Sequence, residues 1–207
     1  MAKRKGLGDR GRRHDAAYQR AKSEGYAARA VYKLEELDKK FRLLGTGKRV
    51  LDLGCWPGSW MQYAAEKVGD EGRVIGIDLA EVELGLPAWC KSYVADVDEI
   101  DPVELRDKLG PFDLVLSDMA PKTSGDVATD RLRSEMLFSR TLEIATGVLR
   151  PGGHFAAKVF QGGGFPGLIA DVRAAFSECK PLHTKATRSG SPEHYIVGRG
   201  LKKVAAG

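Results

Sequence analysis

The sequence predicts a single α/β domain built on a mostly parallel, seven-stranded sheet with helices on both faces. Three observations carry that prediction. Short β-rich runs alternate with longer runs of helical period, the order that produces parallel strands joined by right-handed crossovers. The 207 residues suffice for one full core and not for two. Hydrophobic residues make up 43% and charged residues 29%, the balance of a globular chain rather than a disordered one.

Residues 1–22 are basic and glycine-rich without an apolar period, which predicts a flexible arm ahead of a domain over 23–207. Residues 1–33 hold ten Lys or Arg against three Asp or Glu, whereas the whole chain carries only +5, so the positive excess lies at the front. Such an arm suits a nucleic-acid backbone, with affinity that falls as salt rises. Ser23 is a candidate N-cap for a helix reaching Phe41, with Ala27, Val31, Leu34, Leu37 and Phe41 near helical spacing. Strands are expected at 49–53, 73–78, 92–95, 112–117, 154–159, 182–186 and 194–199, and helices at 60–68, 102–109, 131–149 and 165–176. The last two strands have no helix between them and should pair antiparallel at one edge.

No apolar run approaches the roughly 18 to 20 residues that span a bilayer, and the basic start lacks the apolar stretch of a secretory signal. A cytoplasmic protein with no membrane contact is expected. Cys55, Cys90 and Cys179 are widely separated and the four histidines show no ligand spacing, so reduced structural thiols and no metal are expected.

The first strand runs into Gly54-Cys55-Trp56-Pro57-Gly58-Ser59-Trp60, a glycine-bearing turn that opens a helix at the edge where open α/β sheets bind ligands. Its glycines are four apart with Pro57 between them, unlike the G-x-G-x-x-G that cradles a pyrophosphate, which disfavours a nicotinamide oxidoreductase. Asp78 ends the second strand, where a carboxylate can accept from both ribose hydroxyls of an adenosine. Asp96, past the third, could accept from an adenine amino group. An adenosine without a pyrophosphate is implied, and S-adenosylmethionine fits. Trp56 and Trp60 could pack on it or serve as ordinary core.

The fourth strand delivers Asp118 to the same edge, and the loop after it lacks the N-P-P-Y pattern of enzymes that methylate exocyclic amines. Lys158 stands in an apolar fifth-strand run, where an unpaired ammonium is costly.

Five segments together resemble the FtsJ/RrmJ family of RNA ribose 2′-O-methyltransferases: YKLEEL at 32–37, LDLGCWPGSW at 51–60, SDMAP with SG across 117–125, KVFQG at 158–162, and R-x-x-S-x-E-x-Y from Arg188 to Tyr195. They keep the family's order over nearly all of the chain past the arm. The resemblance implies a Rossmann-like S-adenosylmethionine-dependent methyltransferase fold. It implies a catalytic tetrad of Lys33, Asp118, Lys158 and Glu193, and cofactor contacts from Gly58, Trp60, Asp78, Asp96 and Asp118. Lys158 is then the expected base, Lys33 a cation favouring its neutral form, and the two carboxylates orienting groups. The compact chain is most similar to bacterial members acting on a uridine of 23S rRNA in the 50S subunit, as a monomer. Action on tRNA, or a non-catalytic role in ribosome assembly, are the alternatives. Two departures from the family pattern are Cys55-Trp56 in the first turn and Gly190 with Pro192 before Glu193.

Overall fold

The computed structural model describes residues 16–188 and 190–203. Two helices lead in, α1 (Ala16–Ser23) and α2 (Val31–Phe41). The expected single helix from Ser23 to Phe41 is therefore broken. Gly25 takes a left-handed φ of 81°, and the helix at Ser59–Val68 holds the turn that follows. There Gln62 accepts from the Ala27 N–H at 2.8 Å and donates to the Gly25 carbonyl, while the Tyr26 hydroxyl donates to Glu66. Residues 16–22 of the expected arm are helical in α1, and Ala21 is 2% exposed in the core, so the ordered domain begins before residue 23. The rest of the expected arm lies outside the described residues.

The remaining elements are β1 (Arg49–Leu53), α3 (Ser59–Val68), β2 (Arg73–Asp78), β3 (Cys90–Val94), α4 (Pro102–Leu109), β4 (Phe112–Ser117), α5 (Val127–Val148), β5 (Leu149–Phe160), α6 (Phe165–Ala175), β6 (Phe176–Leu182) and β7 (Glu193–Leu201). They form one seven-stranded sheet in the order β3-β2-β1-β4-β5-β7-β6. β1 to β5 are mutually parallel, and β7 lies antiparallel between β5 and β6. The last two strands do pair antiparallel at one edge, but the final strand occupies the inner place. The penultimate strand also starts six residues earlier than expected, because Phe176↔Leu201 through Leu182↔Tyr195 sets its register. Residues 183–188 form a loop instead, with the Lys185 N–H bonded to Glu36 and the Thr184 and Thr187 hydroxyls 2.7 Å apart. α5 begins before the expected Arg131 because the Asp126 carboxylate caps it, accepting from the Thr129 N–H at 2.7 Å.

Each face of the sheet buries its own apolar layer. Leu34, Leu37, Met61, Ala64 and Val68 of α2 and α3 cover one face; Phe138, Ile144, Val148, Leu168 and Val172 of α5 and α6 cover the other. Strand order reverses between β1 and β4, which fixes the ligand crevice at the carboxyl ends of those two strands. Among the described residues no helix is long and apolar enough to cross a membrane.

Candidate active site

Four elements converge on one charged cluster. Asp118 immediately follows β4, Lys158 lies near the carboxyl end of β5, Glu193 opens β7, and Lys33 stands in the first turn of α2. The antiparallel pairing Lys158↔Tyr195 and Phe160↔Glu193 is what carries the last strand's side chains to the parallel strands' ligand edge. Lys158 Nζ is 3.0 Å from Asp118 Oδ1 and 3.5 Å from Glu193 Oε1; Lys33 Nζ is 3.6 Å and 3.0 Å from the same two atoms. All four tetrad positions expected from the sequence are thus brought together, as two cations sharing two carboxylates.

The Lys158 side chain is only 5% exposed, and its ammonium also donates to the Asp118 carbonyl. Burial pushes the Asp118 carboxyl upward, but Lys158, Lys33 and the Tyr195 hydroxyl outweigh it and hold Asp118 below its ordinary value. Tyr195 donates to Asp118 Oδ1 at 2.5 Å from a fully buried ring, and burial followed by the Asp118 charge raises its phenol well above the usual range. Glu193 is braced by the Ser191 hydroxyl, which donates to Oε2 at 3.2 Å.

Beside the cluster a cavity of about 710 Å³ opens at the β1/β4 switch point, lined among others by Gly54, Trp56, Asp78, Asp96, Asp118 and Met119. That volume suits a nucleoside-sized ligand. Four lining carboxylates, with Asp98 the fourth, stand against Lys122 and Arg133, a balance that favours a cationic guest. Asp78 is fixed by accepting from the Trp56 and Ala80 N–H groups, each at 2.9 Å, and Asp96 by accepting from the Asp98 N–H at 3.0 Å. Gly54 is needed where the backbone turns at φ 78°, since a Cβ there would lie 2.2 Å from Met119 Cγ.

A narrow pocket of about 40 Å³ continues from this cavity toward α2, between Ala30, Gly54, Trp56, Trp60 and Asp118. Trp60, 3% exposed, forms its buried wall and donates from its indole N–H to the Ala30 carbonyl at 2.8 Å, which ties α3 to the start of α2. Gly58 lines neither space: its φ is 102°, and a Cβ would strike Leu84 and Val82, so a packing demand explains it. The Cys55-Trp56 departure splits in two, Cys55 being buried and the Trp56 indole 60% exposed at the cavity mouth. Gly190 adopts φ 79° in a turn where the Ser191 N–H reaches the Arg188 carbonyl, and the Pro192 carbonyl accepts from Gln161 at the end of β5.

Two residues escaped sequence reasoning. Tyr195 stood in a quoted motif without a role. Asp52 on β1 is 1% exposed with neither carboxylate oxygen hydrogen-bonded to any described residue, and burial, then Asp118 and Asp78, pushes its carboxyl well above the ordinary range. An acid inside the apolar run Val50-Leu51-Asp52-Leu53 was its available signal. Among the described residues no group of His, Cys, Asp or Glu could hold a metal ion.

The family described as FtsJ-like methyltransferase matches residues 26–201. Ribosomal RNA large subunit methyltransferase E of Desulfosudis oleivorans is 47% identical over 195 residues, 94% of each chain. The protein of the same description from Syntrophobacter fumaroxidans is 48% identical over 193 residues, covering 91% of this chain and 96% of its own. Among solved structures, a protein described as a ribosomal RNA methyltransferase from Plasmodium falciparum superposes with a TM-score of 0.73 at 26% identity, covering 85% of this chain and 98% of that one.

Proposed function

Since this chain belongs to the FtsJ-like methyltransferase family, we propose that it transfers a methyl group from S-adenosylmethionine to a ribose 2′-hydroxyl of large-subunit (23S) ribosomal RNA, at a uridine within the 50S particle. The observation that carries this reading is the Lys33–Asp118–Lys158–Glu193 cluster beside an acidic, nucleoside-sized cavity. The names of the most similar relatives support the substrate, and a ribosomal substrate in turn supports a cytoplasmic site of action. The enzyme is taken to act as a monomer.

When bound, S-adenosylmethionine supplies an activated methyl group on a cationic sulfur. Asp78 would accept from the ribose hydroxyls of its adenosine and Asp96 from the adenine amino group, while Trp60, Gly54 and Asp118 enclose the narrow pocket beside the tetrad. Holding donor and acceptor in line accounts for roughly 7 to 11 kcal/mol of barrier reduction in well-oriented systems.

The chain's own residues then manage one proton. A 2′-hydroxyl is a weak acid, and Lys158 Nζ accepts its proton as the oxygen attacks. As the acceptor, Lys158 enters the step neutral, having given its own proton to solvent, and its Nζ shares the Asp118 and Glu193 carboxylates with Lys33. Lys33 also stabilises negative charge developing on the oxygen. Tyr195 and Ser191 keep the two carboxylates in place.

The test is incubation with methyl-labelled S-adenosylmethionine and, separately, 50S subunits, free ribosomal RNA and tRNA, with Lys158→Ala as control. Label recovered from 50S subunits as 2′-O-methyluridine, and lost in the variant, is the expected result. Label on tRNA alone, or RNA binding without any methyl transfer, overturns the proposal.

A further inference from the structure

Three residues, Gly54, Trp56 and Asp118, line both the 710 Å³ cavity and the narrow pocket that leads from it toward α2. The larger space holds Asp78 and Asp96, the carboxylates assigned to the adenosine, and the narrower one runs to Ala30 and Trp60. S-adenosylmethionine is itself an adenosine joined through sulfur to a slender amino-acid tail, so its sulfonium falls where the two spaces meet. Resting on the function proposed above, we infer that Trp56 sets its indole against that cation and thereby distinguishes the charged methyl donor from S-adenosylhomocysteine, the neutral product.

The other two residues at the junction leave this task to Trp56. Gly54 has no side chain, and its close approach to Met119 admits none. Asp118 Oδ1 already accepts from the Tyr195 hydroxyl and lies 3.0 Å from Lys158 Nζ and 3.6 Å from Lys33 Nζ, within a tetrad whose two positive and two negative charges balance. Trp56 is anchored through its main chain, whose N–H donates to Asp78, while the side chain stays 60% exposed at the mouth. Leaving so large an apolar group in water forgoes burial that an aromatic side chain ordinarily gains. Indole is the strongest of the aromatic faces for a cation, and the attraction grows as water is excluded. A neutral thioether keeps the apolar part of that contact and loses the electrostatic part.

The same preference serves turnover. Methyl transfer forms a C–O bond at the ribose and breaks the C–S bond, whose electron pair stays on sulfur, while the hydroxyl proton passes to Lys158. The indole then faces no cation, and the product is held more weakly than the donor that replaces it. Trp56 belongs to the Cys55-Trp56 departure from the family pattern, so this discrimination is a feature of the chain's own first turn.

Trp56→Phe and Trp56→Leu test the inference. Phenylalanine keeps a weaker π face, leucine keeps apolar surface without one, and both retain the main-chain N–H that braces Asp78. Affinities for S-adenosylmethionine and S-adenosylhomocysteine are measured by calorimetry on each protein, with acrylamide quenching of tryptophan fluorescence and the subunit KM for methyl transfer alongside. In the wild type the donor should shield Trp56 from acrylamide, Trp60 being buried already. The preference for donor over product should fall about fivefold in Trp56→Leu and by less in Trp56→Phe, with most of the change in donor affinity. Equal losses for the two ligands would make Trp56 an apolar wall and overturn the inference, as would unchanged affinities for both. A subunit KM that rises while the preference stays constant would assign the indole to RNA and overturn it likewise. A wild type that binds neither ligand overturns the function proposed above, and the inference with it.

Discussion

Replacing Lys158 with methionine keeps the aliphatic volume in the strand and deletes the ammonium. The ammonium contacts Asp118 at 3.0 Å and Glu193 at 3.5 Å from a 5% exposed side chain, so the change leaves two carboxylates sharing Lys33 alone. Removing one partner of a buried pair costs about 3 to 5 kcal/mol. The low end applies, because Lys33 still reaches both carboxylates and Tyr195 still bonds Asp118. At about 2 to 4 °C per kcal/mol for a domain of this size, a loss of about 3 kcal/mol lowers the melting temperature by about 6 to 12 °C and leaves the protein folded at 25 °C. Loss of a general base lowers kcat by about 10² to 10⁴-fold. Single-turnover methyl transfer to 50S subunits at saturating S-adenosylmethionine measures the second quantity and a thermal melt the first. Lys158→Arg separates them: its guanidinium cannot give up a proton at working pH, so it should recover part of the lost melting temperature and remain inactive. A Lys158→Arg enzyme that turns over at the wild-type rate would refute Lys158 as the proton acceptor.

Tyr195→Phe removes one hydrogen bond to a carboxylate and should cost about 1.5 to 3 kcal/mol by urea titration at neutral pH. Asp118 sits below its ordinary pKa when folded, so that stability is present above the unfolded value and is lost as pH falls through the folded one. The gap between the two proteins should therefore narrow in acid, and a gap independent of pH would count against the Asp118 contact. Asp52→Asn tests the opposite sign. Burial holds the folded-state carboxyl protonated while the unfolded chain ionises, so wild-type stability should fall relative to the variant by up to about 1.4 kcal/mol per pH unit above the ordinary carboxylate range. Parallel stability curves between pH 5 and 8, measured by denaturant titration, would contradict a protonated Asp52. Gly54→Ala forces a Cβ to 2.2 Å from Met119 Cγ at a φ of 78° and should cost about 1 to 3 kcal/mol in a melt while weakening S-adenosylmethionine binding measured by calorimetry.

What the sequence disclosed follows from where the physical signal is local. β1, β2 and β4 lie at their expected bounds because an interior parallel strand, covered on both faces, is a continuous apolar run. β6 was misplaced because its limits come from pairing with a strand ten residues later, which local propensity does not encode. The break at Gly25 was hidden by helix-compatible neighbours, its cause being side chains of α3 some forty positions away. At the site, Asp78, Asp96, Asp118 and Lys158 stood out as charges in apolar or strand-end positions, whereas Lys33 and Glu193 came through the family resemblance and Asp52 was passed over. Tyr195 did not stand out, since a buried aromatic looks the same whether it fills space or aims a hydroxyl.

The tetrad joins α2 to β7: Lys33 and Glu193 are bonded across 160 positions. β7 completes the cluster by lying between β5 and β6, so the proposed catalytic centre has no local precursor and forms only when distant parts of the chain meet. Truncation just before β7 would take the buried Tyr195, Ile196 and Val197 from the sheet together with Glu193, so the cluster and the core that carries it stand or fall together.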